Sequence, residues 1–243
     1  MAGESVRTSW LIITATFRRF YDQLGLSIFL SIVWFICAFG PGVYSAILVW
    51  NQPYNLITYL IAGLCLTFIS GPVTSAVYFG ADVIIAEDNL KVRMLWDAFR
   101  KYYKTAAAAT AIMLLVLVVL VIDMLWFGQY KGFISWLGYF WWYFIGCWGM
   151  VAMFMFPFIC YKPNKARQVL KKAVLITLDN VVVSFLIFVA TGLIIYASWR
   201  LRAPLPFLMA GLLALMHQAT FRRLMEKYDD GETNETDEKD VEE

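Results

Sequence analysis

Long, nearly uncharged apolar runs recur along this chain, and its Lys and Arg residues gather in alternate gaps between them. The hydrocarbon core of a bilayer is about 30 Å thick and takes roughly 20 apolar helical residues to cross. By that measure the pattern predicts six membrane-crossing helices, at about 24–50, 56–86, 107–127, 133–160, 173–199 and 204–219. The expected fold is all-α: a polytopic transmembrane helical bundle in which residues 1–228 form one membrane-embedded domain. The second and fourth runs exceed what a bilayer requires, which implies tilt or projection beyond it. The last is short and starts at Pro204, leaving a re-entrant or interfacial segment open as the alternative.

Two polar gaps carry a helical period of their own. Val6, Trp10, Ile13, Phe17 and Phe20 recur at three- and four-residue spacing while Arg7 and Arg18 fall elsewhere, so residues 1–23 read as an amphipathic helix lying in the interface. No small-residue cleavage site follows the short run from Trp10 to Ala15, so the segment is not expected to be a signal peptide. Before the third span, Val92, Leu95, Phe99 and Tyr102 or Tyr103 share one face, and Arg93, Asp97 and Lys101 form an i, i+4 ladder on another. The run from Phe17 to Tyr21 is similar to that from Phe99 to Tyr103, and more loosely to that from Ala166 to Lys172. Three units, each a basic interfacial helix followed by two spans, would explain this; so would the general likeness of basic flanks.

Charge then gives an orientation. Of the 20 Lys and Arg residues, 17 fall in the gaps on one side of the six expected spans, and only Lys131, Arg200 and Arg202 on the other. Positive residues are retained on the cytoplasmic side, so both termini are expected there, as an even number of spans requires. A composition of 61% hydrophobic and 16% charged residues excludes an ordinary soluble domain and assigns the bilayer as solvent. Acidic residues crowd into positions 229–243, which are too polar to fold alone and are expected to be a disordered cytoplasmic tail. The net charge of +2 is therefore no sign of nucleic-acid binding.

Candidate chemistry is sparse. Gly40-Pro41 and Gly71-Pro72 interrupt apolar runs, and proline removes a backbone donor and crowds the preceding turn, so a kink or break is expected at each. Broken helices also form substrate sites in transporters, which makes Gly71 and Pro72 candidate functional residues beside the simpler reading of packing kinks. Asp123 and Asp179 are acidic side chains within spans, near the outer end of the third and the inner start of the fifth; interfacial placement competes with an ion or proton relay. His217 is the one histidine, a structural residue unless Asp82 reaches it. Trp136, Phe140, Phe144 and Trp148 repeat every four residues, as an aromatic belt or as stacking platforms for a carbohydrate ligand. Cys37, Cys65, Cys147 and Cys160 lie in spans without C-x-x-C spacing, and no phosphate loop, nucleophile elbow or zinc-helix motif occurs. The expectation is a protein that is not an enzyme and has no cofactor or metal. Asn234-Glu235-Thr236 matches a glycosylation sequon on the side where it would be silent.

The run from Ser70 to Tyr78, followed by Glu87-Asp88-Asn89-Leu90, the run from Trp96 to Tyr103 and an apolar span containing Asp123, resembles the YesL-like family of bacterial integral membrane proteins. Phe156-Pro157, Lys171-Lys172-Ala173 and the closing Phe221-Arg222-Arg223-Leu224 extend the resemblance over most of the chain; Gly40-Pro41-Gly42 and the acidic tail depart from it. It implies a bacterial cytoplasmic-membrane protein in the context of carbohydrate uptake by ABC systems, with no activity to transfer. The loop from Ala86 to Lys104 lacks the E-A-A-type order by which ABC permeases engage their ATPase, so an accessory or assembly component is expected, with ABC transporter subunits as partners. Arg93, Arg100, Lys101 and Lys104 are the expected contacts to a partner or to anionic lipid of the bilayer. The alternative is a small secondary transporter or channel acting through the Gly-Pro-kinked first and second spans.

Overall fold

The computed structural model describes residues 2–40, 47, 51, 56–86, 90–130, 133–161, 165–201 and 205–241. Among them the regular elements are all helical. They are α1 (Ala2–Asp22), α2 (Leu24–Trp34), α3 (Leu56–Cys65), α4 (Gly71–Ile85), α5 (Val92–Gly128), α6 (Phe133–Tyr161), α7 (Ala166–Asp179), α8 (Val181–Leu201) and α9 (Leu205–Val241). Two π-helical turns, Phe35–Phe39 and Leu66–Ser70, prolong α2 and join α3 to α4.

Among the described residues, four helices are long and apolar enough to cross a membrane: Ile57–Ile85, Val92–Gly128, Gly138–Tyr161 and Val181–Arg200. A fifth crossing is obtained only by pairing Ser9–Asp22 with Leu24–Ala38, which meet at 94°. The described residues thus support four or five crossings where hydropathy predicts six. The first expected span continues into positions 41–46 and 48–50, which lie outside the described residues. The sixth forms the start of α9 and is not among the helices that meet the length and apolarity requirement.

Helix boundaries depart from the apolar boundaries in three places. The amphipathic segment from Val92 and the third span form the single 37-residue helix α5, because the change from charged to apolar side chains near Lys104 alters the surroundings but supplies no helix breaker. The fifth span starts at Val181 rather than 173, since positions 173–179 complete α7, whose Val169, Ala173, Ile176 and Thr177 are buried. α9 continues through positions 229–241, where composition predicts disorder; a helix already nucleated propagates at little further cost.

The α1–α2 bend lies at Gln23 and the α7–α8 break at Asn180, with nearly equal dihedrals of φ −119°, ψ 41° and φ −123°, ψ 48°. Backbone bonding persists across both: the Gln23 N–H donates to Arg19 O at 3.0 Å and the Asn180 N–H to Ile176 O at 3.1 Å. Four residues on, Ser27 and Ser184 are fully buried, and neither hydroxyl has a hydrogen-bond partner. The first and third expected units therefore share a hinge, whereas the second lacks one because α5 runs unbroken.

Two apolar clusters hold the bundle together. Leu30 of α2 packs with Val77, Ala81 and Ile84 of α4 and Leu215 of α9. Phe154 and Ile159 of α6 pack with Ala106 and Ala109 of α5, Ala173 of α7, Ile187 of α8 and Phe221 of α9. Helix α9 belongs to both and links them. Small residues set the closest approaches: a Cβ on Gly80 would come within 2.7 Å of Leu30, and one on Gly149 within 2.7 Å of Phe188. The outward faces of α5 and α8 remain apolar, with Leu115, Val119, Leu193 and Tyr196 exposed, the inside-out arrangement that a hydrocarbon solvent stabilises.

Candidate functional site

Polar groups converge where α4, α8 and α9 meet. In α4, Ser75, Tyr78 and Asp82 are spaced three and four residues apart and so lie along one face, opposite a face of α9 carrying His217, Gln218 and Arg222. The Tyr78 hydroxyl lies 2.6 Å from His217 Nδ1, and Thr191 Oγ1 of α8 lies 2.9 Å from His217 Nε2. Thr191 also donates to the carbonyl of Ile187 at 2.8 Å. With its one proton given to that carbonyl, the threonine hydroxyl accepts from His217 Nε2–H, and Nδ1 in turn accepts from Tyr78. Both ring nitrogens of this buried imidazole are therefore satisfied within the protein, as a structural role requires.

One turn along, Arg222 Nε donates to Asp82 Oδ1 at 2.6 Å, Arg222 Nη2 to Asp82 O at 3.1 Å, and Gln218 Nε2 to Asp82 Oδ1 at 2.7 Å. The helices adjoin, but Asp82 meets Gln218 and Arg222 while His217 turns to Tyr78 and Thr191. No sequence signal marks these pairings, whose members lie up to 140 residues apart.

The Gly71-Pro72 pair does not break its helix. Pro72 falls in the first turn of α4, where its missing amide is harmless, and the strain is absorbed by the π turn Leu66–Ser70 just before it. Gly71 packs so closely on α5 that a Cβ would collide with Thr110, whose buried hydroxyl has no hydrogen-bond partner. The π turn Phe35–Phe39 precedes Gly40 in the same way; Pro41 lies outside the described residues. Ser70 Oγ donates to Ala38 O at 2.8 Å, tying one π turn to the other, and Trp34 Nε1 donates to Thr74 Oγ1 at 3.0 Å beside it.

The remaining candidates are dispersed. Asp123 is half-buried in α5 one turn before Trp126, and Asp179 is exposed at the end of α7, accepting from Asn180 Nδ2 at 3.3 Å. Within the aromatic repeat, Trp148 donates to Met113 O at 3.0 Å, while Phe140 and Phe144 are exposed and meet edge to face at 5.1 Å. The side chain of Trp136 lies outside the described residues. Arg93, Arg100, Lys101 and Lys104 are all exposed on α5. Arg93, Trp96, Arg100 and Lys104 form one stripe, in which the Arg100 guanidinium stands 5.0 Å from the Trp96 ring centroid. Leu95, Ala98 and Tyr102 fix the opposite face, and the Tyr102 hydroxyl donates to Cys160 O at 3.2 Å. No group of three or more His, Cys, Asp or Glu side chains able to hold a metal occurs among the described residues. No family model, curated protein or solved structure matches the chain.

Proposed function

We propose that this is a multi-pass protein of the bacterial cytoplasmic membrane, with both termini cytoplasmic, that acts by engaging a partner rather than by catalysis. The observation that carries this reading is the continuity of α5. At 1.5 Å per residue its 37 residues measure about 55 Å, well beyond a hydrocarbon core of about 30 Å, so its basic, aromatic end projects as a rigid extension of a span. Exposed Trp and Arg side chains held in one stripe on a rigid element are the residue types that dominate protein interfaces. The resemblance to the YesL-like family directs the proposal to an accessory or assembly component of carbohydrate ABC-type uptake, with permease or ATPase subunits as partners.

The test is affinity purification from native membranes in mild detergent, comparing the tagged protein with Arg100→Glu/Lys101→Glu. Stoichiometric recovery of ABC subunits, lost in the variant while membrane insertion persists, is the expected result. Recovery of the protein alone in both cases would overturn it. A second reading, a small transporter or channel, draws on the tied π turns, because irregular turns beside Gly-Pro pairs free backbone carbonyls for a solute. Solute flux through liposomes containing the purified protein alone would favour that reading.

A further inference from the structure

A cavity of about 420 Å³ lies between α1, the end of α4 and α9, apart from the α5 stripe. Its volume is that of a small-molecule site. Leu11 and Ile12 of α1 and Ile85 of α4 give it an apolar wall, and Arg19, Arg222 and Arg223 are among its lining residues, Arg19 and Arg223 as exposed side chains at its edge. Glu226 supplies a carboxylate. Asp82 engages two of the three nitrogens of Arg222, which holds that guanidinium as a fixed part of the wall. Counting Arg19, Arg222 and Arg223 against Asp82, which pairs with Arg222, and the lining Glu226 leaves one formal positive charge in excess.

The apolar stripe of α1, expected to lie in the interface, is split: Ile13 and Phe20 pack against the core, while Trp10 and Phe17 face outward. Ser9, Ile12 and Thr16 are the helix's buried positions, while Trp10 is 66% and Phe17 48% exposed. The helix therefore presents an apolar outer face beside a cationic cavity, the arrangement of a headgroup pocket next to acyl chains. Guanidinium groups match phosphate oxygens in geometry as well as charge.

The structure assigns to this cavity a phosphate-bearing anion carrying one negative charge, the chemistry of a phosphodiester such as that of an anionic phospholipid. Native mass spectrometry of the full-length protein, after exchange into detergent containing phosphatidylglycerol or phosphatidylcholine, reads occupancy directly. Thermal unfolding with and without millimolar inorganic phosphate tests a soluble source. Retention of one phosphatidylglycerol and not phosphatidylcholine is expected. Arg19→Gln or Arg223→Gln should weaken it about tenfold, equivalent to about 1.4 kcal/mol, and Glu226→Gln should strengthen it. Stabilisation by phosphate that the two arginine variants abolish, without selective lipid retention, would keep the anion site and assign it a soluble ligand. Equal retention of both lipids with no stabilisation by phosphate would overturn the proposal. The opposed direction of Glu226→Gln separates loss of binding from loss of fold.

Discussion

Gly211→Ala should separate α9 from α2, whereas Gly192→Ala should do no harm. Gly211 lies against the backbone of α2: a Cβ there would collide with the Ser27 carbonyl oxygen and come within 2.8 Å of Ser31 Oγ. A carbonyl within a helix cannot rotate away, so the helices must part, and overpacking of this kind costs about 1–3 kcal/mol. Separation also loses the Gly211 N–H to Ser31 Oγ bond of 2.8 Å, worth about 0.5–1.5 kcal/mol. Alanine returns about 0.5–1 kcal/mol in helix propensity, leaving a net destabilisation of about 2 kcal/mol. Nothing lies within 4 Å of a Cβ on Gly192, so there only the propensity gain applies. Tryptophan-fluorescence thermal unfolding in one detergent, with the wild type alongside, should show Gly211→Ala lower by about 4–8 °C and Gly192→Ala equal or higher. Shifts of the same sign and size at both positions would refute the close-approach argument.

His217→Ala leaves the Tyr78 and Thr191 hydroxyls without their shared partner and should destabilise by about 2–4 kcal/mol, read in the same unfolding assay. If His217→Ala unfolds like the wild type, the histidine does not hold α4, α8 and α9 together. A double-mutant cycle of Asp82→Ala and Arg222→Ala should show a coupling of about 1–3 kcal/mol, because the contact is charge-assisted but about one-third exposed on both sides. Additive single effects would mean that the pair contributes nothing of its own. Ser70→Ala removes the tie between the π turns and should cost about 1 kcal/mol while leaving helix content by circular dichroism unchanged; a loss of helix would show that the hydroxyl is needed for folding rather than for joining two formed turns.

Much of the architecture was legible in the residues, because water and hydrocarbon impose their requirements on every segment separately. Apolar length alone, with spans expected at 56–86 and 133–160, came close to the apolar helices at 57–85 and 138–161, and the boundary expected after residue 23 falls at the Gln23 bend. Hydropathy misplaces a boundary where a change of solvent is not a change of backbone. Charge gives way to apolarity near Lys104, yet α5 continues through it; Asn180 breaks a helix inside a run whose hydropathy gives no warning.

The candidate site was less legible still. Gly71 and Pro72 were visible as local anomalies, but that a π turn and close contact with Thr110 accommodate them depends on α5 being alongside. Asp123 and Asp179 stand out as charges in apolar runs, whereas nothing in the sequence singles out Asp82, at the end of a run, for its pairing with Arg222 of another helix. Hydropathy and helical period thus determined that the chain is helical and that segments such as 57–85, 138–161 and the apolar part of α5 suit a membrane, since those properties belong to each segment alone. Tertiary packing decided that Tyr78, Thr191 and His217 share one hydrogen-bonded chain and that Arg19 joins Arg222 and Arg223 at one cavity, since such contacts depend on how helices distant in sequence cross.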